Sequence, residues 1–420
     1  LHWAPDVGDR LVGADGEYEL VEYIDTGGFT TVYRATETES GADVCIKYPF
    51  FGSTNPDIDA FVSREVRALR TIETLGGHAN IMTLHEHFVE RGTDFLVVDY
   101  VDGAVLSERT ERFDPSVVRS IGLSACSALG RLHTGDIVYR DLKEDNLILT
   151  GSDRPVLIDL NTCRVTPACP DCGRLVRHEA ANSATCEACD ADLDEVIQIG
   201  DHDRGRYKAP EQRDPGRSPG PWTDVYALGR VLFRLLAGFV PPREFDAGAR
   251  VDAPAYLTEI IDRATDPDPE QRYPDALALG DALYRRDPDP GPPSATVVDP
   301  DTDAEYAISP GDRIGRVDET TDPAVPVADD HPPAVSRQHA QFALDGNCWE
   351  LIDTGRNGTL VGRHGDFHRV LSRRGRRERS IGSEERFPER RRLVPGDVIV
   401  PVDERYGARF RFEGRPWVNV

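Results

Sequence analysis

The sequence predicts an α+β chain: a small β-rich lobe, a larger helical lobe, then a separate β-sandwich. Three observations predict it. Strand-like runs dominate the start, helical spacing dominates the middle, and short strand-like runs between Pro/Gly/Asp clusters fill the end. In order, residues 18–24, 31–36 and 43–48 read as three strands of a meander. Phe61, Val62, Val66, Leu69 and Ile72 recur at helical spacing over residues 60–75. Residues 115–134 and 222–238 read as longer, buried helices. The two lobes together span 11–285. Residues 286–293 are proline-rich and read as a stiff, extended linker. Residues 294–420 carry the sandwich pattern. A length of 420 residues has room for two or three domains.

Composition narrows the class. The net charge is −25, and Lys47, Lys143 and Lys208 are the only lysines among 49 basic residues. This lysine-poor acidity resembles that of proteins from extreme halophiles, whose surfaces stay hydrated in concentrated salt; an acidic mesophilic protein is the alternative. The longest apolar stretch, near 225–240, is interrupted by Arg230 and Arg234 and falls short of the ~20 residues of a membrane span. No basic-then-apolar leader opens the chain, so a cytoplasmic protein without a membrane partner is expected. Cys45, Cys126, Cys163 and Cys348 stand alone and read as small buried hydrophobes.

Phosphoryl transfer needs cations on the phosphates, oxygen ligands for Mg²⁺, and a base that orients the attacking hydroxyl. Val44-Cys45-Ile46-Lys47, then Arg64-Glu65-Val66, then Tyr139-Arg140-Asp141-Leu142-Lys143-Glu144-Asp145-Asn146, then Ile158-Asp159-Leu160-Asn161 supply these parts in order. The set resembles the protein kinase family, of the Ser/Thr type. The resemblance implies the two-lobed kinase fold and ATP with Mg²⁺. It makes Lys47 the ligand of the α- and β-phosphates, Glu65 its partner, and Asp141 the base. Lys143 lies on the transferring phosphate, and Asn146 and Asp159 are Mg²⁺ ligands. Residues 95–103 resemble the hinge that grips adenine, through Asp99 and Val101. Gly27 and Val32 belong to the loop that covers the nucleotide. Ala209-Pro210-Glu211, Asp224 and Arg272 complete the pattern as structural residues, and the resemblance runs from Glu17 to about Tyr284.

The departures are specific. Asp25 and Thr30 occupy the outer glycine positions of the nucleotide-covering loop, where an aspartate adds repulsion toward phosphate. Tyr139 replaces a histidine, Asn161 a glycine, and Arg204 a threonine near the base. A small-molecule phosphotransferase would normally lack the Ala209-Pro210-Glu211 segment. A pseudokinase scaffold, binding nucleotide and phosphopeptides without efficient catalysis, is the competing reading.

Cys169-Pro170-Asp171-Cys172 and Cys186-Glu187-Ala188-Cys189 form two knuckles between Asp159 and Glu211. Four thiolates suit a closed tetrahedral Zn²⁺ site, and the segment 166–193 looks like an inserted zinc ribbon. Bound Zn²⁺ is expected to fold the segment that governs substrate access; a solvent-facing bulge without influence on it is the alternative.

From Ser294 the sequence resembles a forkhead-associated (FHA) domain through Ile314-Gly315-Arg316, Val335-Ser336-Arg337-Gln338-His339, Asp353 with Asn357-Gly358-Thr359, and Pro395-Gly396-Asp397. The resemblance implies phosphothreonine-peptide binding, with Ser336 and Arg337 on phosphate, Arg316 in support, Asn357 on the peptide backbone, and His339 bracing the loop. Between Arg363 and Arg392, eleven arginines meet five acidic residues, a solvated loop or an anion-binding arm. The expected partners are protein substrates and phosphothreonine peptides, the chain's own included, and nucleic acid is not expected. Thr162, Thr166, Thr185 and Thr296 are candidate autophosphorylation sites.

Overall fold

The computed structural model describes residues 4–26, 30–49, 58–165, 205–214, 219–242, 245–291, 293–318, 322–328, 334–345, 348–363, 365–378, 387–403 and 408–418. It divides into two compact units, Leu1–Leu279 and Gly280–Val420.

The first unit opens with β1 (Arg10–Val12), β2 (Glu17–Thr26), β3 (Thr30–Glu37), β4 (Asp43–Pro49), α1 (Ile58–Thr74), β5 (Leu84–Glu90) and β6 (Thr93–Asp99). The strands form one sheet in the order β1-β2-β3-β4-β6-β5, every pair antiparallel. Alternation puts Leu20, Tyr33, Ala35, Ile46, Phe95 and Val97 in one core. β2 outruns its apolar pattern because Asp25 and Thr26 still pair with Val32 and Thr31. Val62, Val66, Leu69 and Ile72 bury one stripe of α1, and Glu65 lies buried on the same side.

The rest of this unit contains β7 (Gly103–Val105), α2 (Pro115–Thr134), β8 (Ile137–Val138), β9 (Leu147–Thr150), β10 (Pro155–Leu157), β11 (Arg164–Val165), α3 (Pro221–Ala237), α4 (Ala255–Ala264) and α5 (Ala276–Arg285), the last running on into the second unit. Asp114 caps α2 by accepting from Ser116 N (2.8 Å), and Pro115 suits the first helical position. α3 is buried on every face from Thr223 to Ala237 and ends at Gly238, whose φ of 77° is left-handed. A buried bidentate pair locks this region. Arg272 donates to both oxygens of Glu211 (2.8 and 3.1 Å), both side chains are 0% exposed, and Thr223 Oγ1 donates to Glu211 Oε1 (3.0 Å).

The second unit is a β-sandwich. It comprises β12 (Ala295–Asp299), β13 (Ala304–Ile308), β14 (Arg313–Arg316), β15 (Val325–Val327), β16 (Ala340–Asp345), β17 (Cys348–Asp353), β18 (Thr359–Arg363), β19 (Asp366–Val370), α6 (Arg373–Glu378), β20 (Arg390–Arg392), β21 (Val398–Pro401) and β22 (Phe410–Gly414). One sheet runs β13-β12-β22-β21-β18-β19 and the other β15-β14-β16-β17-β20. Ile314, Phe342, Leu351, Val361, Ile399 and Phe412 fill the space between them. Part of the arginine-rich tract is built into this fold. β20 pairs with β17, and Arg390 reaches Glu350 (3.1 Å).

Cys126, Cys163 and Cys348 are buried, whereas Cys45 is half-buried. Among the described residues no helix is long and apolar enough to cross a membrane. The four knuckle cysteines Cys169, Cys172, Cys186 and Cys189 lie outside the described residues, as do Gly27, Thr166, Thr185 and Arg204.

Candidate active site

β4 carries Lys47 opposite Val32 of β3 and Leu96 of β6. Lys47 Nζ donates to Glu65 Oε1 of α1 (2.6 Å) and to Asp159 Oδ1 (3.4 Å). Burial pushes the Lys47 amine down, but Glu65 and Asp159 push it further up, so it stays a cation. Leu160 N also donates to Glu65 Oε1 (3.3 Å). One glutamate on one helix therefore holds both the lysine and the backbone beside Asp159. Asp159 itself sits at φ 62°, a conformation that costs a non-glycine residue energy and is retained where surroundings enforce it.

The loop from Tyr139 to Asn146 is held from beneath. Asp224, in the first turn of α3, is 0% exposed and accepts from Tyr139 N (2.8 Å), Arg140 N (2.7 Å) and His133 Nε2 (2.9 Å). These bonds hold Arg140 at φ 70°. Asp141 follows directly. Asn146 Nδ2 donates to the Asp141 carbonyl (2.8 Å) and to its Oδ2 (3.1 Å), and Lys143 Nζ lies 3.2 Å from the same Oδ2. The Lys143 amine is lowered by burial and raised further by Asp141, so it too stays charged. Tyr139 is fully buried, and its hydroxyl donates to the Ile158 carbonyl, tying this loop to the strand that leads to Asp159.

One contributor escapes sequence reasoning, whereas Asp224, read there as structural, does act so, holding the loop before Asp141 through its backbone. Lys208 reads as nothing in particular, yet its Nζ lies 2.8 Å from Asp141 Oδ1 and donates to the Arg140 carbonyl (3.0 Å). The scarcity of lysine was the available signal. All three lysines of the chain converge on Asp159 or Asp141.

At the hinge, Asp99 ends β6 and turns its carboxylate to Thr83 N (2.8 Å) and His85 Nε2 (2.8 Å), while its own N–H donates to the Thr83 carbonyl (3.1 Å). The Asp99 side chain is thus engaged by Thr83 and His85. Val101 follows as half-buried backbone. In the covering loop, Val32 is half-buried on β3, and Thr26 and Thr31 join across its base through their hydroxyls (3.1 Å).

A second cluster forms in the sandwich. Gly315 is required there, since a Cβ would overlap the Arg337 carbonyl. With the loop seated on β14, Arg316 N donates to the Ser336 carbonyl (3.1 Å) and His339 N to the Ile314 carbonyl (2.9 Å). His339 is fully buried, joining Ser336 N through Nδ1 (3.1 Å) and the Gly358 carbonyl through Nε2 (3.1 Å). Arg356 N approaches Ser336 Oγ at 3.4 Å, and Asn357 Nδ2 donates to the Ala334 carbonyl (2.7 Å). Arg316, at the end of β14, thus lies beside the loops that carry Ser336, Arg337 and Asn357. Arg337, 59% exposed, is ion-paired with Asp318.

Comparison with known proteins matches the same two regions. The protein kinase domain model matches residues 18–290, and the FHA domain model matches residues 313–400. Serine/threonine-protein kinase D of Synechocystis sp. is 28% identical over 285 residues, covering 64% of this chain and 52% of that protein. Serine/threonine-protein kinase PrkC of Bacillus subtilis is 28% identical over 289 residues, covering 64% of this chain and 39% of that protein. Serine/threonine-protein kinase Pkn1 of Myxococcus xanthus is 27% identical over 297 residues, covering 66% and 39%. The matched region spans about half the length of these relatives or less. The kinase model covers more than half of the present chain, which therefore belongs to the protein kinase family and carries an FHA domain in its C-terminal unit.

Proposed function

We propose that this chain transfers the γ-phosphoryl group of ATP to serine or threonine hydroxyls of proteins, and that its FHA domain binds phosphothreonine peptides. The observation that carries the first part is the Lys47 bridge between Glu65 (2.6 Å) and Asp159 (3.4 Å), above an Asp141 flanked by cations. The kinase family implies Mg²⁺ with the nucleotide, and the donors suit a hard cation. Asn146 uses its amide nitrogen on the Asp141 carbonyl (2.8 Å), leaving oxygen as its ligand atom beside the Asp159 carboxylate. When bound, Mg²⁺ offsets phosphate charge.

The chain's own residues do the rest. Lys47 orients the α- and β-phosphates, and Glu65 holds its ammonium in place. Asp141 orients the substrate hydroxyl and takes its proton as the oxygen bonds to phosphorus and ADP departs. Lys143 offsets charge on the transferring group. In the FHA domain, Arg337 and Ser336 contact the phosphate, Arg316 supports them, and Asn357 meets the peptide backbone. Cys169, Cys172, Cys186 and Cys189 hold a structural Zn²⁺ in the insertion, a reading supported by the two Cys-x-x-Cys spacings. Labelled ATP with Mg²⁺ tests the central part. Asp141→Asn is expected to lower incorporation by about 10²–10⁴-fold. Equal incorporation by both proteins, or none by the wild type, would sink this reading.

A further inference from the structure

We infer that Lys208 is a positioning residue for phosphoryl transfer, tying the segment that precedes Ala209-Pro210-Glu211 to the carboxylate of Asp141; this rests on the kinase reading above. Lys208 is only 5% exposed at its side chain, and Nζ sits between Asp141 Oδ1 (2.8 Å) and the Arg140 carbonyl (3.0 Å). The geometry explains why lysine persists in a chain that otherwise uses arginine. A compact ammonium presents donors in several directions and fits between one carboxylate oxygen and one carbonyl. A planar guanidinium fork does not.

The carbonyl that Lys208 holds is a special one. Arg140 lies at φ 70°, its N–H is fixed by Asp224 (2.7 Å), and its carbonyl also accepts from Gln212 Nε2 (2.8 Å). Gln212 in turn takes the Ala209 N–H on its Oε1 (3.0 Å). The peptide just before the base is thus gripped from α3 below and from residues 208–212 in front. Asp141 is gripped separately at each oxygen, Oδ1 by Lys208 and Oδ2 by Lys143 and Asn146. A buried ion pair is a poor way to gain stability, because desolvation offsets most of its attraction. A methionine would fill the same volume. What the amine supplies is orientation of Oδ1, so a displaced 205–209 segment would leave the base misaligned. Lys208 therefore couples the state of the substrate-facing segment to the base.

A double-mutant cycle on the full chain separates this from a packing role. Lys208→Met is expected to lower kcat by about 10–100-fold with the KM for ATP within about twofold. In an Asp141→Asn background the same change is expected to cost less than about threefold, because the group it acts through is already gone. Lys208→Gln, which is polar and uncharged, should repeat the pattern. An unchanged kcat in Lys208→Met would overturn the inference, as would an equal loss in both backgrounds, or failure of both variants to fold. Wild-type protein that transfers no phosphate overturns the kinase reading and this inference with it.

Discussion

Replacing Asp224 by asparagine removes one acceptor and changes almost no volume. The aspartate serves three donors: Tyr139 N and His133 Nε2 on Oδ2, and Arg140 N on Oδ1. An asparagine that keeps its oxygen toward the first two must turn its amide against the Arg140 N–H. One charge-assisted bond is lost and two buried donors face each other, at a cost of about 2–4 kcal/mol. Flipping the amide is worse, since two donors then lose their acceptor. The left-handed Arg140, whose conformation costs about 1–3 kcal/mol, loses a bond that enforces it. At about 2–4 °C per kcal/mol, the thermal midpoint should fall by roughly 4–16 °C by calorimetry. Transferase activity measured below that midpoint should fall with it, while the nucleotide affinity set by Lys47 stays within about twofold. A midpoint within about 1 °C of wild type would refute the reasoning, because it would mean that Asp224 does not hold the loop.

Two further perturbations address the hinge and the phosphopeptide loops. The His85–Asp99 pair raises the histidine pKa chiefly through their hydrogen bond, so its stabilisation is complete below the unfolded histidine value near ~6.5 and is lost as pH rises through the folded one. With both side chains partly exposed, the effect is under ~1 kcal/mol. His85→Gln should flatten that slope in urea titrations between about pH 5.5 and 8.5; an unaltered slope would exclude the pair as its source. In the FHA domain Asp318 is ion-paired with Arg337, the arginine proposed above to meet phosphate. Asp318→Asn should tighten phosphothreonine-peptide binding by about three- to tenfold in fluorescence anisotropy, and weaker binding would mean that Asp318 orders the arginine instead of competing for it.

The parts of the site that sequence reasoning reached are those carried by local pattern. Lys47 and Glu65 are reached through short motifs that resemble those of the protein kinase family, the first in a strand and the second on a helix. Asp141, Asn146 and Asp159 are reached through the same resemblance, whose motifs recur here in the family's order. Lys208 acts on Asp141, 67 residues away in sequence, and Asp224 on a loop 84 or more residues away, and no local signal reports either meeting. The ends of β2 were illegible for a different reason. Asp25 and Thr26 are polar, so pairing, not burial, keeps them in the strand. The arginine tract misleads in the opposite sense. A charge run reads as solvated loop, yet Arg390–Arg392 form an edge strand because Glu350 neutralises Arg390 and the backbone can pair.

The sealed pair of Glu211 and Arg272 has a consequence for ionic strength. At about 1 M salt the screening length is ~3 Å, so attraction between charges at the water surface is largely extinguished. Counter-ions cannot enter where both side chains are 0% exposed. The Lys47–Glu65 pair, 8% and 1% exposed, is sheltered in the same way. Concentrated salt therefore acts selectively on this molecule: it weakens the ion pairs of the rim and, in part, Lys143–Asp141, whose lysine is 34% exposed, and leaves the sealed pairs Glu211–Arg272 and Lys47–Glu65 at nearly full strength.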